Sequence, residues 1–213
     1  LCSCGSNESA EKPSAASSDT VAKDSSPATT AAAGSRDNTP VVLTGSADGT
    51  VTYGNDSVTV DASHTEEGYL MVSYSGSNSK VKLQITGSDE ITYTYNLHNG
   101  YETFPLTSGS GSYTVGVFEN IEGTSYSTLF TQAIDVTIQD EFGPYLYANQ
   151  YVNFSADSKV ISKAMELSAS ANDDLEVIEN VYNYIITNFT YDYDKAASVQ
   201  SGYLPDVDDV LAS

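Results

Sequence analysis

Two cysteines and two histidines are the first candidates in this chain for nucleophilic catalysis or zinc binding. Cys2 and Cys4 stand at the extreme N-terminus, whereas His64 and His98 lie in the middle of the chain. Because the segment around the cysteines lacks the apolar residues of a folded domain, we expect neither a Cys–His pair nor a zinc site. We interpret both histidines as isolated, exposed polar residues in or near turns, and we predict no metal, cofactor or catalytic residue within the chain.

A cluster of aspartates near the C-terminus is the remaining candidate. Asp206, Asp208 and Asp209 offer carboxylate oxygens, which calcium prefers as ligands. The cluster lacks the glycine and the terminal glutamate of an EF-hand loop, so we favour a solvated or helix-capping role over a calcium site. Elsewhere we find no pair of carboxylates whose spacing indicates acid–base catalysis.

The charge of the chain bears on its partners. With 29 acidic and 8 basic residues, the formal net charge is -21. Such a chain repels phosphate groups at close range, which argues against nucleic acid and against electrostatic docking on anionic lipid. We interpret the charge chiefly as a source of solubility outside the cell, with attraction of a cationic partner as the alternative.

The first forty residues have a composition unlike that of a folded domain. Residues 5–40 are rich in Ser, Ala, Thr and charged residues and contain no aromatic side chain. Burial of apolar surface therefore cannot offset the loss of chain entropy on ordering. We predict a disordered tether there, with a reach of about 30 to 35 Å.

The residues before this tether resemble a bacterial lipobox. The opening LCSCGS places an apolar residue and two small residues before Cys4. In lipoproteins the cysteine at this position receives diacylglycerol and becomes the mature terminus. The resemblance implies that residues 1–4 are the end of a signal peptide with its lipidated cysteine, which anchors the protein at the extracellular face of a Gram-positive bacterial membrane. Two ordinary thiols are the alternative.

Residues 41–140 carry the pattern of a β-domain. Short runs of alternating apolar and polar residues are separated by turns rich in Gly, Asn, Asp and Ser. Short strands at this spacing are typical of an immunoglobulin-like or fibronectin-like sandwich. Tyr113, Val115 and Val117 share one face of a strand, which we expect to point into the core. The candidate strands span residues 58–62, 69–74, 81–85, 91–96, 112–119 and 127–138, with an additional strand near Val51.

Tyrosine is abundant in this region. The chain has 16 tyrosines and no tryptophan. A tyrosine-rich β-surface could stack on sugars, but strands also use Tyr in cores and in cross-strand pairs, such as those open to Tyr93 and Tyr95. We favour the packing interpretation. A surface binding or adhesion lipoprotein, whose sandwich recognises sugar or protein, is the alternative function.

Beyond a Gly-Pro connector at residues 140–147, the apolar period becomes helical. Ser155 or Asp157 is placed to cap a first helix, and Asp173 with Glu176 to cap a second. The first helix has an apolar face formed by Val160, Ile161, Ala164 and Leu167. In the second, apolar residues recur at helical spacings: Leu175, Ile178, Tyr182, Ile185 and Phe189.

The end of the second helix resembles part of a known superfamily. Residues 181–192 (VYNYIITNFTYD) resemble the leading helix of the transglutaminase-like superfamily, and residues 201–213 (SGYLPDVDDVLAS) are similar to the connector before its catalytic cysteine. Residues 104–106, 111–115 and 142–152 resemble the β-domain and junction of secreted clostridial members. The likeness covers the C-terminal half of the chain and rests on the order and spacing of these segments.

The resemblance implies a mainly β chain with C-terminal helices, in which residues 141–213 begin an incomplete α+β transglutaminase-like domain. Members of the superfamily form or break amide bonds of proteins or peptides through a thioacyl intermediate on a cysteine, which a histidine and an aspartate assist. No residue here matches any of the three, so we expect the nucleophile just beyond Ser213 and no such activity from residues 1–213 alone. We also expect residues 155–213 to be poorly packed or to expose an apolar patch.

Overall fold

Strands fill the first part of the folded chain and helices the last part. The computed structural model describes residues 36–212. Within them the strands are β1 (Leu43–Thr44), β2 (Thr52–Gly54), β3 (Val58–Asp61), β4 (Tyr69–Tyr74), β5 (Val81–Thr86), β6 (Thr92–Leu97), β7 (Gly100–Pro105), β8 (Gly111–Glu122), β9 (Ser125–Val136) and β10 (Tyr147–Ala148). The helices are α1 (Lys159–Ser168), α2 (Asp174–Asn188), α3 (Tyr193–Ser198) and α4 (Val207–Ala212). The predicted class, mainly β with C-terminal helices, is confirmed.

The strand order is that of an immunoglobulin-type sandwich. Sheet one has the order β2-β3-β4-β7 and sheet two the order β6-β5-β8-β9, with every pair antiparallel. If β3, β4 and β7 are strands A, B and E, then β5, β8 and β9 are strands C, F and G of the facing sheet. β6 pairs with β5 in the position of strand C′, and β2 extends sheet one beyond strand A.

One apolar core lies between the two sheets. The alternating positions of each strand point inward, as the period of two requires. Tyr113, Val115 and Val117 of β8 are fully buried there, as predicted. Sheet one contributes Val58, Val60, Leu70, Val72, Tyr74 and Phe104, and sheet two contributes Val81, Leu83, Ile85, Tyr95, Leu97, Ile134 and Val136.

A tyrosine corner closes the connection from β7 to β8. The hydroxyl of Tyr113, near the start of β8, donates to the carbonyl oxygen of Gly109 at 2.8 Å. Gly109 has φ +72, a conformation that glycine adopts without strain. A tyrosine at the start of strand F that bonds back to the preceding corner is a hallmark of these sandwiches, and it fixes the entry of β8 into the sheet.

Most strand positions agree with the sequence pattern, but β7 does not appear among the predicted strands. Only Phe104 of β7 is fully buried, and Tyr101 is half exposed. The sequence of β7 therefore does not alternate between core-facing apolar residues and exposed polar residues in the way that marks a strand. β7 forms because β4 pairs with it along its length, from Tyr69 opposite Pro105 to Ser73 opposite Tyr101.

Contacts at both ends of the sandwich extend beyond residues 41–140. Arg36 Nε contacts Asp174 Oδ1 at 2.7 Å, and Asn38 Nδ2 donates to Ala171 O at 3.1 Å, both beside the turn between α1 and α2. Downstream, β10 pairs in parallel with β1. The folded part therefore begins before residue 41 and includes part of the predicted connector.

The loop between α3 and α4 rests on the sandwich. Gly202 has φ +87, and a Cβ atom at this position would overlap the Nδ2 atom of Asn96 in β6. Only glycine permits this approach without a shift of the neighbouring side chain. The described helices and the sandwich accordingly belong to one compact unit.

Candidate functional site

The helices enclose an apolar groove. It has a volume of about 340 Å³ and lies among α1, α2 and α4. Val160 and Leu167 of α1, Val181 and Tyr184 of α2, and Leu211 of α4 line it. A lining of this composition binds apolar groups and offers almost no hydrogen bonds.

Asp208 fixes α4 against the start of α1, and Asp206 caps α4 itself. The Asp208 carboxylate accepts hydrogen bonds from the main-chain N–H groups of Lys159 and Val160, at 3.0 and 3.1 Å. Asp206 Oδ1 accepts from the N–H groups of Asp208 and Asp209, which caps α4. The helix-capping interpretation of this aspartate cluster is therefore confirmed for Asp206 and Asp208.

The residues predicted to cap α1, Ser155 or Asp157, are wrong. The N-cap residue is Ser158, whose side chain makes no capping hydrogen bond, and neither Ser155 nor Asp157 supplies one. Asp208 takes that role from a distance of 48 residues in sequence from Val160. By contrast, the cap predicted for α2 is confirmed, because Asp173 Oδ1 accepts from Glu176 N at 2.9 Å.

The apolar stripe named from the sequence of α2 largely faces solvent. Leu175 is 75% exposed, Ile178 63% and Tyr182 60%. Another apolar stripe, with Val177, Val181 and Tyr184, is the half-buried one. The helical segment therefore exposes the apolar patch that we expected for residues 155–213.

The one lysine at the rim of the groove is paired. Lys163 Nζ lies 2.6 Å from Glu166 Oε2 and 5.1 Å from the centroid of the Tyr184 ring. The hydrogen bond to Glu166 raises the pKa of the Lys163 ammonium above its ordinary value. This amine is therefore protonated at neutral pH and is unsuited to act as a nucleophile.

His64 is not the isolated, exposed residue that we expected. Its Nε2 lies 3.0 Å from Asp48 Oδ2 and its Nδ1 3.2 Å from Glu67 Oε2. Its ring stacks on Tyr69, with centroids 5.3 Å apart. The side chain is only 19% exposed.

Ser46 Oγ lies 3.2 Å from His64 Nε2, which invites comparison with a Ser–His–Glu triad. A general base needs an unprotonated nitrogen toward the hydroxyl. Here Asp48 competes for the same Nε2 atom, and both ring nitrogens face carboxylates. Because Nε2 is shared between Ser46 and Asp48, we interpret the cluster as a clamp that holds the loop before β2 on the sandwich.

His98 is exposed, as predicted, but it too has a carboxylate partner. Its Nδ1 lies 3.1 Å from Glu102 Oε1, and its main-chain N–H donates to Glu102 Oε2 at 2.8 Å. Spacings of three and four residues from His64 to Glu67 and from His98 to Glu102 are the signals in the sequence that could have predicted these pairs.

The predicted lipidation site, Cys4, lies outside the described residues, as does Cys2. Within residues 36–212 no three His, Cys, Asp or Glu side chains are placed to hold a metal ion. Over the same range, no helix has the length and apolar character needed to cross a membrane.

Comparison with known proteins adds no relative. No family model, no curated protein and no solved structure matches this chain.

Proposed function

We propose that this chain is part of a lipid-anchored, cell-surface enzyme of the transglutaminase-like superfamily. In this proposal α1, α2 and α4 are the leading helices of the catalytic domain, and the sandwich is a module that precedes it. The proposal follows from the resemblance of residues 181–192 and 201–213 to that superfamily.

The exposed apolar surface of α2 is the observation that best supports the proposal. α2 has apolar residues on two sides: Val181 and Tyr184 toward the groove, and Leu175 and Ile178 toward solvent. A helix that is apolar around much of its circumference is suited to the interior of a larger domain. A catalytic domain built around α2 would bury both stripes.

In this proposal, the catalytic residues of the enzyme are not among residues 36–212. A cysteine thiolate would attack an amide carbonyl of a protein or peptide, the amine would leave, and the thioacyl enzyme would pass its acyl group to another amine or to water. Residues 36–212 contain no cysteine. Their role in this proposal is to form the helical layer on which the nucleophile is held.

The anchor is the second part of the proposal. A lipidated Cys4 would hold the protein at the extracellular face of the membrane, and the polar residues after it would separate the sandwich from the lipid. The substrate class is protein or peptide, and the charge of -21 does not suit nucleic acid.

The enzymatic part is tested on the full reading frame. We expect its sequence to place a cysteine at the start of a helix shortly after residue 213, followed by a histidine and an aspartate. The purified full-length protein should incorporate a biotinylated primary amine into a glutamine-containing protein, or release a peptide product. Its Cys-to-Ala variant at that position should do neither. A reading frame without this cysteine, or activity that survives its replacement, would refute the assignment.

The anchor is tested separately in the producing cell. The wild-type protein should sediment with membranes and incorporate labelled fatty acid, whereas Cys4→Ser should appear in the medium without label. Cys2→Ser is the matched control and should remain on the membrane. Membrane retention of the Cys4→Ser variant would contradict lipidation at this position without bearing on the enzymatic part.

A further inference from the structure

A second cavity, on the sandwich, has a different chemical character from the helical groove. It has a volume of about 430 Å³ and lies on the outer face of sheet one, the face turned away from the core. Met71 of β4 and Tyr101 and Thr103 of β7 contribute to it, and residues 148–150 and 153–155 form a wall. A volume of this size lies at the small end of the range for sites that bind small molecules.

The wall of this cavity is held by hydrogen bonds within its own turn. Asn149 Oδ1 accepts from the N–H groups of Tyr151 and Val152, at 3.0 and 3.2 Å, and Asn149 N donates to Val152 O at 3.0 Å. On the other side, a Cβ atom at Gly45 would overlap Thr103 Oγ1 and Met71 Sδ, so glycine allows the chain to approach the sheet closely. The cavity is therefore formed before any ligand binds.

The lining combines aromatic rings with unused polar groups. Tyr101 is 48% exposed, and within residues 36–212 its side chain makes no hydrogen bond and pairs with no other ring. Phe154 provides a second ring. Within the same range, the amide of Asn153 and the Oε1 atom of Gln150 have no hydrogen-bond partner, because the Gln150 bonds come from its Nε2 atom alone.

Glu102 is the one charged side chain among the described lining residues, and both of its carboxylate oxygens already have hydrogen-bond partners. Glu102 Oε1 accepts from Gln150 Nε2 at 2.7 Å and contacts His98 Nδ1, while Glu102 Oε2 accepts from His98 N. The cavity thus has no cation to attract an anionic ligand, and the net charge of -21 repels one. A purely apolar ligand would leave the amides without partners.

We propose that this cavity binds a neutral saccharide of one or two rings. The C–H face of a sugar ring would stack on Tyr101, and its hydroxyl groups would bond Asn153 and Gln150 Oε1. Sugars present this combination of an apolar face and neutral hydroxyl groups. The inference is independent of the transglutaminase-like assignment, because it concerns the sandwich alone.

The test uses the full chain and titration calorimetry with glucose, galactose, N-acetylglucosamine and their β-1,4-linked disaccharides, with glucuronic acid as the anionic comparison. We expect saturable binding of at least one neutral sugar and none of glucuronic acid. Tyr101→Ala should weaken binding about tenfold, which corresponds to about 1.4 kcal/mol and lies within the range for a stacked aromatic ring. Tyr101→Phe should retain it, and Asn153→Ala should also weaken it.

The matched control is Tyr93→Ala. Tyr93 is 43% exposed on β6 and does not line this cavity, so its replacement should leave binding unchanged. Circular dichroism should show that each variant is folded. The proposal is overturned if no neutral sugar in the set binds, if Tyr101→Ala and Asn153→Ala both bind like the wild type, or if Tyr93→Ala weakens binding as much as Tyr101→Ala.

Discussion

The Asp208 carboxylate caps the N-terminus of α1 through Val160 N at 3.1 Å and Lys159 N at 3.0 Å. The first N–H groups of a helix have no partner within the helix, so a carboxylate there both accepts hydrogen bonds and faces the positive end of the helix dipole. Because Asp208 belongs to α4, the same contact also joins the last described helix to the first. Formation of the apolar groove thus depends on a polar contact at its edge.

Replacement of Asp208 by Ala should therefore loosen α1 and α4 together. Loss of a carboxylate cap reduces helix stability by about 0.5 to 2 kcal/mol. We expect hydrogen exchange to accelerate at the amides of Lys159 and Val160 and along α4. Asp209→Ala is the control, because the Asp209 side chain accepts no hydrogen bond among the described residues. Equal exchange in both variants would show that the cap does not hold α4.

The tyrosine corner gives a prediction for the sandwich. Tyr113→Phe removes the hydroxyl that donates to Gly109 O at 2.8 Å and keeps the buried ring. We expect the free energy of unfolding to fall by about 1 kcal/mol, the net contribution of one hydrogen bond. Urea denaturation followed by circular dichroism measures this change. Tyr93→Phe removes an exposed hydroxyl and should change stability by less than about 0.5 kcal/mol; equal effects would contradict the role of the corner.

Most strands of the sandwich follow from local patterns, because alternation and Gly or Asn turns occur in consecutive residues. Most strand ends agree with the pattern within a few residues. β7 does not follow from such a pattern, since Phe104 is its one fully buried residue and its pairing with β4 is a tertiary contact. The strands that could be predicted are thus those in which apolar and polar residues alternate along the strand itself.

The helical region and the polar clusters were less predictable. α2 has two apolar stripes, and periodicity alone cannot decide whether Ile178 or Val181 packs on α1. Asp208, which caps α1, lies 49 residues after Lys159 in the sequence. The contact of His64 with Asp48 likewise depends on how the loop folds. The spacing of residues in the sequence predicts neighbours within one helix or strand. It cannot predict these contacts, because they join different elements.

Alkaline pH should destabilise the folded chain through Tyr95, which is buried in the sandwich, and Tyr147 of β10, which is half-buried. Burial raises the pKa of Tyr95 to about 12, and burial with the hydrogen bond to Glu67 raises the pKa of Tyr147 to about 12. In the unfolded chain tyrosine titrates near about 10. The folded state therefore keeps these protons between about pH 10 and 12 while the unfolded chain loses them, so stability is complete below about pH 10 and falls as pH rises.

Urea midpoints at about pH 9 and pH 11 should show this loss, with tyrosinate absorbance reporting the titration. Tyr95→Phe should reduce the decrease between the two pH values because it removes one of the titrating groups. Tyr182→Phe is the comparison variant, because Tyr182 is 60% exposed on α2, and it should leave the decrease unchanged. A midpoint that is the same at both pH values would contradict the raised pKa values in the folded state.

The exposed apolar stripe of α2 should bind a hydrophobic dye without contributing to stability in residues 1–213. Leu175 and Ile178 are 75% and 63% exposed, so a Leu175→Ser/Ile178→Ser variant loses little buried surface. We expect its free energy of unfolding to stay within about 0.5 kcal/mol of the wild type, while 8-anilinonaphthalene sulfonate fluorescence falls. Ile121→Ser is the control, because Ile121 is 70% exposed at the β8–β9 turn, away from the helices, and its replacement should not change the fluorescence. A large loss of stability in the double variant would instead mean that this stripe is packed within the chain, and the main support for a larger catalytic domain around α2 would be lost.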